Sequence, residues 1–132
     1  MARLPLLALA ILLSTAPAGA KPVQALRGLF CNTRAQLEET LDHLRQSNSM
    51  AMAVSLTNRD TIACVNAYTN SYVVSHPIII GKTVLNGRAL TLYQATLVKV
   101  LVGGNPRPIE PPLITYFVSM DEVRGAEEES GA

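Results

Sequence analysis

Tryptophan is absent from this chain of 132 residues, and the other aromatics amount to four Tyr and two Phe. An interior built from it must therefore be packed mainly by Leu, Val and Ile. The scarcity also removes the stacking platforms that single-stranded nucleic acids use, and the basic residues are spread singly along the sequence. Nucleic-acid binding is not expected. The only histidines are His43 and His76, without H-x-x-x-H or H-x-H pairing. A catalytic zinc site takes about three protein ligands, so no metal site is expected. Gly103-Gly104 lacks the Lys-Ser/Thr of a phosphate loop, and no G-x-S-x-G elbow marks a nucleophile. The sequence names no catalytic residue and no cofactor. A binding protein is favoured over an enzyme, although a triad assembled in space would leave no motif.

Long apolar runs are scarce too: there is one, at the N-terminal end, and it is short. Arg3 precedes Leu4 to Leu13, Pro17 breaks the run, and Ala18-Gly19-Ala20 supplies small residues where a signal peptidase reads. Residues 1–20 are read as a cleavable signal peptide, with cleavage after Ala20 and a periplasmic or secreted destination. The run falls short of the roughly 18–20 residues of a membrane span, and no second run is longer. The mature chain, from Lys21 on, is expected to be soluble and to form one domain over 21–120.

Charge is divided by region. Residues 21–120 hold nine Lys/Arg against five Asp/Glu, whereas 121–132 hold five acids and Arg124. With its Gly and Ser, the segment 121–132 is expected to be a disordered acidic tail.

What is present is one clear helix and a series of strands. Thr33 and Gln36 match the T-x-x-Q capping box, and Leu37, Leu41 and Leu44 fall at i, i+4, i+7. A helix is expected over Arg34 to Arg45, with Arg45 suited to its last turn. Ser49 can cap a shorter second helix through Met50 to Leu56. Lys21 to Arg27 shows no period, Lys21-Pro22 is expected to be a loose start, and Gly28 to Cys31 is an apolar approach to the helix. Strand patterns follow at Ile62 to Tyr68, Tyr72 to Val74, Ile78 to Ile80, Thr83 to Leu85, Ala89 to Val102 and Leu113 to Met120. Asn86-Gly87 is the strongest short hairpin signal among them. In the long Ala89–Val102 arm, Gln94 and Thr96 on the apolar face point to a bulge or a change of side. Gly103 through Pro112 is expected to be a proline-stiffened loop, and its P-x-x-P spacing (Pro108 to Pro111) a stiff connection.

The two cysteines, Cys31 and Cys64, lie in a chain expected to be exported, where disulfides persist. They lack the C-x-x-C spacing of redox pairs, so a structural bridge between them is expected. A thiol enzyme built on Cys31, or a hydrolase using His43 and His76, is the alternative. The stretch Phe30-Cys31-Asn32-Thr33-Arg34-Ala35-Gln36, with the later Ala63-Cys64, resembles small exported proteins of alphaproteobacteria. That resemblance implies a periplasmic or secreted domain and carries over no catalytic residue.

The expected architecture is α+β: one or two N-terminal helices on a four- or five-stranded, mainly antiparallel sheet or small partly open barrel. The expected role is a non-enzymatic binding or interaction module. Its partner would be a protein or an envelope component, met at a strand edge or through the mildly basic body, with no membrane span in the mature chain.

Overall fold

The computed structural model describes residues 23–131. The expected leader, 1–20, and its cleavage site lie outside the described residues. The fold is α+β. Strand β1 (Val23–Cys31) is followed by helices α1 (Arg34–Arg45) and α2 (Met50–Thr57). Three long strands come next, β2 (Cys64–Leu85), β3 (Arg88–Val102) and β4 (Asn105–Ser119), and helix α3 (Met120–Gly131) ends the chain. All pairings are antiparallel and run β1-β2-β3-β4, and the ring closes where β1 meets β4 over Gly28–Cys31.

Both expected N-terminal helices form as their caps dictate. Thr33 Oγ1 accepts from the Gln36 N–H at 3.1 Å, and Gln36 Oε1 accepts from the Thr33 N–H at 3.1 Å. Ser49 caps α2 by accepting from the Met52 N–H. Leu37, Leu41 and Leu44 pack against Leu29, Leu85, Leu90, Leu92 and Val118, so the stripe lies on the outer face of the sheet. Across the α1–α2 contact the buried hydroxyls of Thr40 and Thr57 stand 2.6 Å apart, each also within reach of a helix carbonyl four residues back, so one hydroxyl donates to the other and the other donates to its carbonyl.

The sheet also forms where the sequence concealed it. Val23–Cys31, read as a stretch without period and then an apolar approach to the helix, is a strand; the loose start expected at Lys21-Pro22 lies outside the described residues. Leu29 and Cys31 face the helices while Phe30 faces into the ring, so both sides are apolar and the period-2 signal cancels. The expected loop from Gly103 to Pro112 is a tight turn followed by strand. Gly103 and Gly104 have φ of 59° and 84°, the two left-handed positions of a type I′ hairpin. The pair flanking such a turn, Val102 with Asn105, is hydrogen-bonded, so alternation makes positions 106 and 108 non-hydrogen-bonded. An N–H at Pro106 or Pro108 would point away from β3, and the ladder loses nothing by its absence.

Over the segment expected to be a disordered acidic tail (121–132), Met120–Gly131 forms helix α3, which packs against the rest of the domain. Met120, Val123 and Ala126 are fully buried on one face of it. Glu122 accepts from the Thr91 N–H at 3.0 Å, and Asn86 Nδ2 donates to the Ala126 carbonyl at 3.1 Å. Asp121 and Glu122 sit in the helix's first turn, where its dipole favours them, and Asp121 pairs with Arg27. Apolar anchors three residues apart outweigh the charge of the segment.

Candidate functional site

The disulfide is present and joins Cys31 to Cys64 across directly paired positions of β1 and β2. The Asn32 N–H donates to the Ala63 carbonyl, which makes Cys31–Cys64 a non-hydrogen-bonded pair, the kind in which facing residues come closest. Their Cα atoms are 4.0 Å apart. The bridge clamps the base of the excursion carrying α1 and α2. Asn58 completes the clamp: its Oδ1 accepts from the Ala63 and Cys64 N–H groups and its Nδ2 donates to the Cys64 carbonyl. Both cysteines are buried, as a staple requires and a reactive thiol does not.

The histidines are not brought together by any hydrogen bond among the described residues. His43 lies on α1, its Nε2 3.3 Å from Glu39 Oε2 and its Nδ1 buried without a partner. Arg59 also reaches Glu39 Oε2, at 3.0 Å, and chiefly this guanidinium holds the Glu39 carboxyl below the usual glutamate range. His76 is exposed at a bend in β2, with φ of 53°, where the β2–β3 register shifts. No group of three or more His, Cys, Asp or Glu side chains that could hold a metal stands together among the described residues.

Strand edges, expected to accept a partner strand, are covered at several points. Along β2, Arg34 donates to the Ile80 carbonyl and Arg45 to the Val84 carbonyl. Glu122 takes the outward N–H of Thr91 on β3, Asn58 covers the start of β2, and prolines disarm the free part of β4.

The ring itself is open at its ends. Its interior is a second core, separate from the one under the helices: Phe30, Ala67, Val74, Ala95, Leu97 and Phe117. Along β3 burial changes side, from Leu90 and Leu92 under the helices to Ala95 and Leu97 inside the ring. This is the change of side that Gln94 and Thr96 announced. Four aromatic rings cross the interior in a chain, Tyr72–Phe30–Phe117–Tyr93, with centroids 4.8, 4.9 and 5.1 Å apart. They divide it into two mouths. The far mouth, about 300 Å³, is lined by Gln24, Leu26, Pro77, Tyr93, Phe117 and Ser119.

The mouth beside the disulfide holds about 210 Å³ over a floor that includes Phe30 and Leu97, with walls from Val65, Tyr72, Val100 and Ile109. Among the described residues no Lys, Arg, Asp or Glu lines it. Two of its polar side chains are already engaged, since Thr115 Oγ1 donates to the Cys31 carbonyl and Asn32 Nδ2 to the Ile62 carbonyl. Burial raises the pKa of the Tyr72 phenol, which stays protonated at neutral pH. Around the opening stand Ile62, Leu113 and Ile114, which are 75%, 51% and 49% exposed. Large apolar side chains gathered at the entrance of an apolar cavity form a contiguous patch of the kind that marks a binding surface. None of these residues was singled out as a site from the sequence, because ring closure alone brings residues 62–65 beside 109–115. No family model, curated protein or solved structure matches this chain.

Proposed function

We propose that this protein is an exported, disulfide-stapled binding module that seats an apolar group in the mouth beside the Cys31–Cys64 bridge. Export is supported by the apolar leader with its Ala18-Gly19-Ala20 site and by a cysteine pair suited to an oxidising compartment. Binding is supported by one observation above the others: exposed Ile62, Leu113 and Ile114 ring a cavity without charged lining. Its 210 Å³ lies below the roughly 300–1,000 Å³ of sites for drug-sized ligands. A cavity of about 150 Å³ suffices for benzene. The occupant is therefore a single ring or a short acyl chain, free or attached to a larger partner.

The test is thermal unfolding with added 1-octanol, comparing the wild-type protein with Val100→Trp, which fills the mouth from a partly exposed position. Octanol should raise the wild-type Tm and leave the variant unmoved. Equal shifts in the two proteins, or none in either, would reject the mouth as the site. N-terminal sequencing of protein recovered outside the cytoplasm should begin at Lys21.

A further inference from the structure

A ligand whose apolar part fills the mouth has its remaining atoms at the rim. Strand register shows what they meet there. Tyr72 on β2 pairs with Val100 on β3, and Val100 pairs with Arg107 on β4. Directly opposed residues in a sheet carry their side chains on the same face. Tyr72 and Val100 both line the cavity, so Arg107 leaves its strand on the cavity's face, one strand further out, where it is exposed. Ile109, two residues further along β4, lines the cavity as well. Among the described residues the Arg107 side chain makes no ion pair or hydrogen bond. Arg27, Arg34, Arg45 and Arg59 all do. Arg107 is thus an uncommitted guanidinium beside an otherwise uncharged mouth, and its planar fork suits carboxylate and phosphate oxygens.

We propose that the mouth selects amphipathic anions: a short acyl chain or single ring enters the cavity, and a carboxylate or phosphate head is held by Arg107. This specificity rests on the binding role proposed above and adds the charge of the ligand to it. The neutral Tyr72 phenol in the same row offers no repulsion to such a head.

The experiment is calorimetric titration of the disulfide-intact protein with octanoate, octyl phosphate, 1-octanol and octylammonium, repeated on Arg107→Gln and Arg107→Lys. A charge-assisted hydrogen bond makes octanoate bind about tenfold more tightly than octanol. Octyl phosphate should share that gain, and octylammonium should bind most weakly. Arg107→Gln should bring octanoate down to the level of octanol while octanol itself is unchanged, and Arg107→Lys should keep part of the difference. Equal binding of octanoate and octanol to the wild type, or a preference that survives Arg107→Gln, would overturn the anion selectivity and leave the apolar site standing. If none of the four binds, the mouth is not a site and both proposals fall. An unchanged Tm in Arg107→Gln separates lost recognition from lost folding.

Discussion

The two apolar cores differ in composition and in closure. Under the helices the packing is aliphatic, with Leu29, Leu37, Leu41, Leu85, Leu90, Leu92, Val118 and Val123 all about fully buried. Inside the ring it is aromatic and small, Phe30 and Phe117 beside Ala67 and Ala95, and the space is only partly filled. Three helices seal the first core, while staggered strands leave the second open at both ends. The two faces of one sheet are thus packed differently: the outer face is filled by side chains, and the inner face leaves a cavity at each mouth.

Large-to-small substitutions should expose that division most strongly. Leu41→Ala, in the sealed core, should cost about 3–5 kcal/mol in denaturant unfolding. Leu113→Ala, at the exposed rim, should cost less than about 1 kcal/mol and weaken octanol binding instead. Comparable losses of stability at the two positions would erase the contrast.

Removing the bridge comes next. Cys31→Ser with Cys64→Ser frees a loop spanning 33 positions, which by the chain-entropy relation lowers stability by about 3–4 kcal/mol. Intact mass should fall back by about 2 Da from the fully reduced value in protein isolated without reductant, one disulfide's two hydrogens.

The seam between β1 and β4 carries a smaller effect. A Cβ on Gly28 would lie 2.6 Å from the Val118 carbonyl oxygen, a backbone atom that cannot step aside. Gly28→Ala should cost about 1–3 kcal/mol and speed amide exchange over 28–31 and 116–119. An unchanged exchange pattern there would mean that the ring does not depend on this contact.

The smallest effect is electrostatic. Because Arg59 lowers the folded-state pKa of Glu39, the pair's stabilisation is present above the ordinary glutamate pKa. It is lost as pH falls through the lowered value. Glu39 is partly exposed, so solvent screening keeps the contribution modest. A carboxyl-detected NMR titration should place its midpoint below that of ordinary glutamates, and Arg59→Ala should move it up.

Local chemistry was the legible part of this sequence. A capping box and a Leu stripe define α1, Asn86-Gly87 sets the β2–β3 turn with φ of 52° and 82°, and the cysteine pair bridges as expected. Elements whose signals cancel or are masked were not legible. In β1 Leu29, Phe30 and Cys31 are apolar on both faces, so no alternation survives there. In α3 the anchors Met120, Val123 and Ala126 sit among acids and Gly125, so composition reads as tail. In the first half of β4 four prolines mimic a loop, yet Pro106 and Pro108 occupy positions where the ladder asks for no donor. The candidate site was hidden for a different reason. Ile62, Val100, Arg107 and Ile114 are ordinary residues of separate strands, and only register and ring closure set them around one opening.

The proposed division of labour between the cores is tested most directly by methyl-resolved NMR of the protein during titration with octanoate. The expected result is a set of shifts confined to Ile62, Val65, Leu97, Val100, Ile109, Leu113 and Ile114, with Leu37, Leu41, Leu85 and Val123 unmoved. Shifts centred on the helix-covered methyls, or none at the mouth, would contradict it.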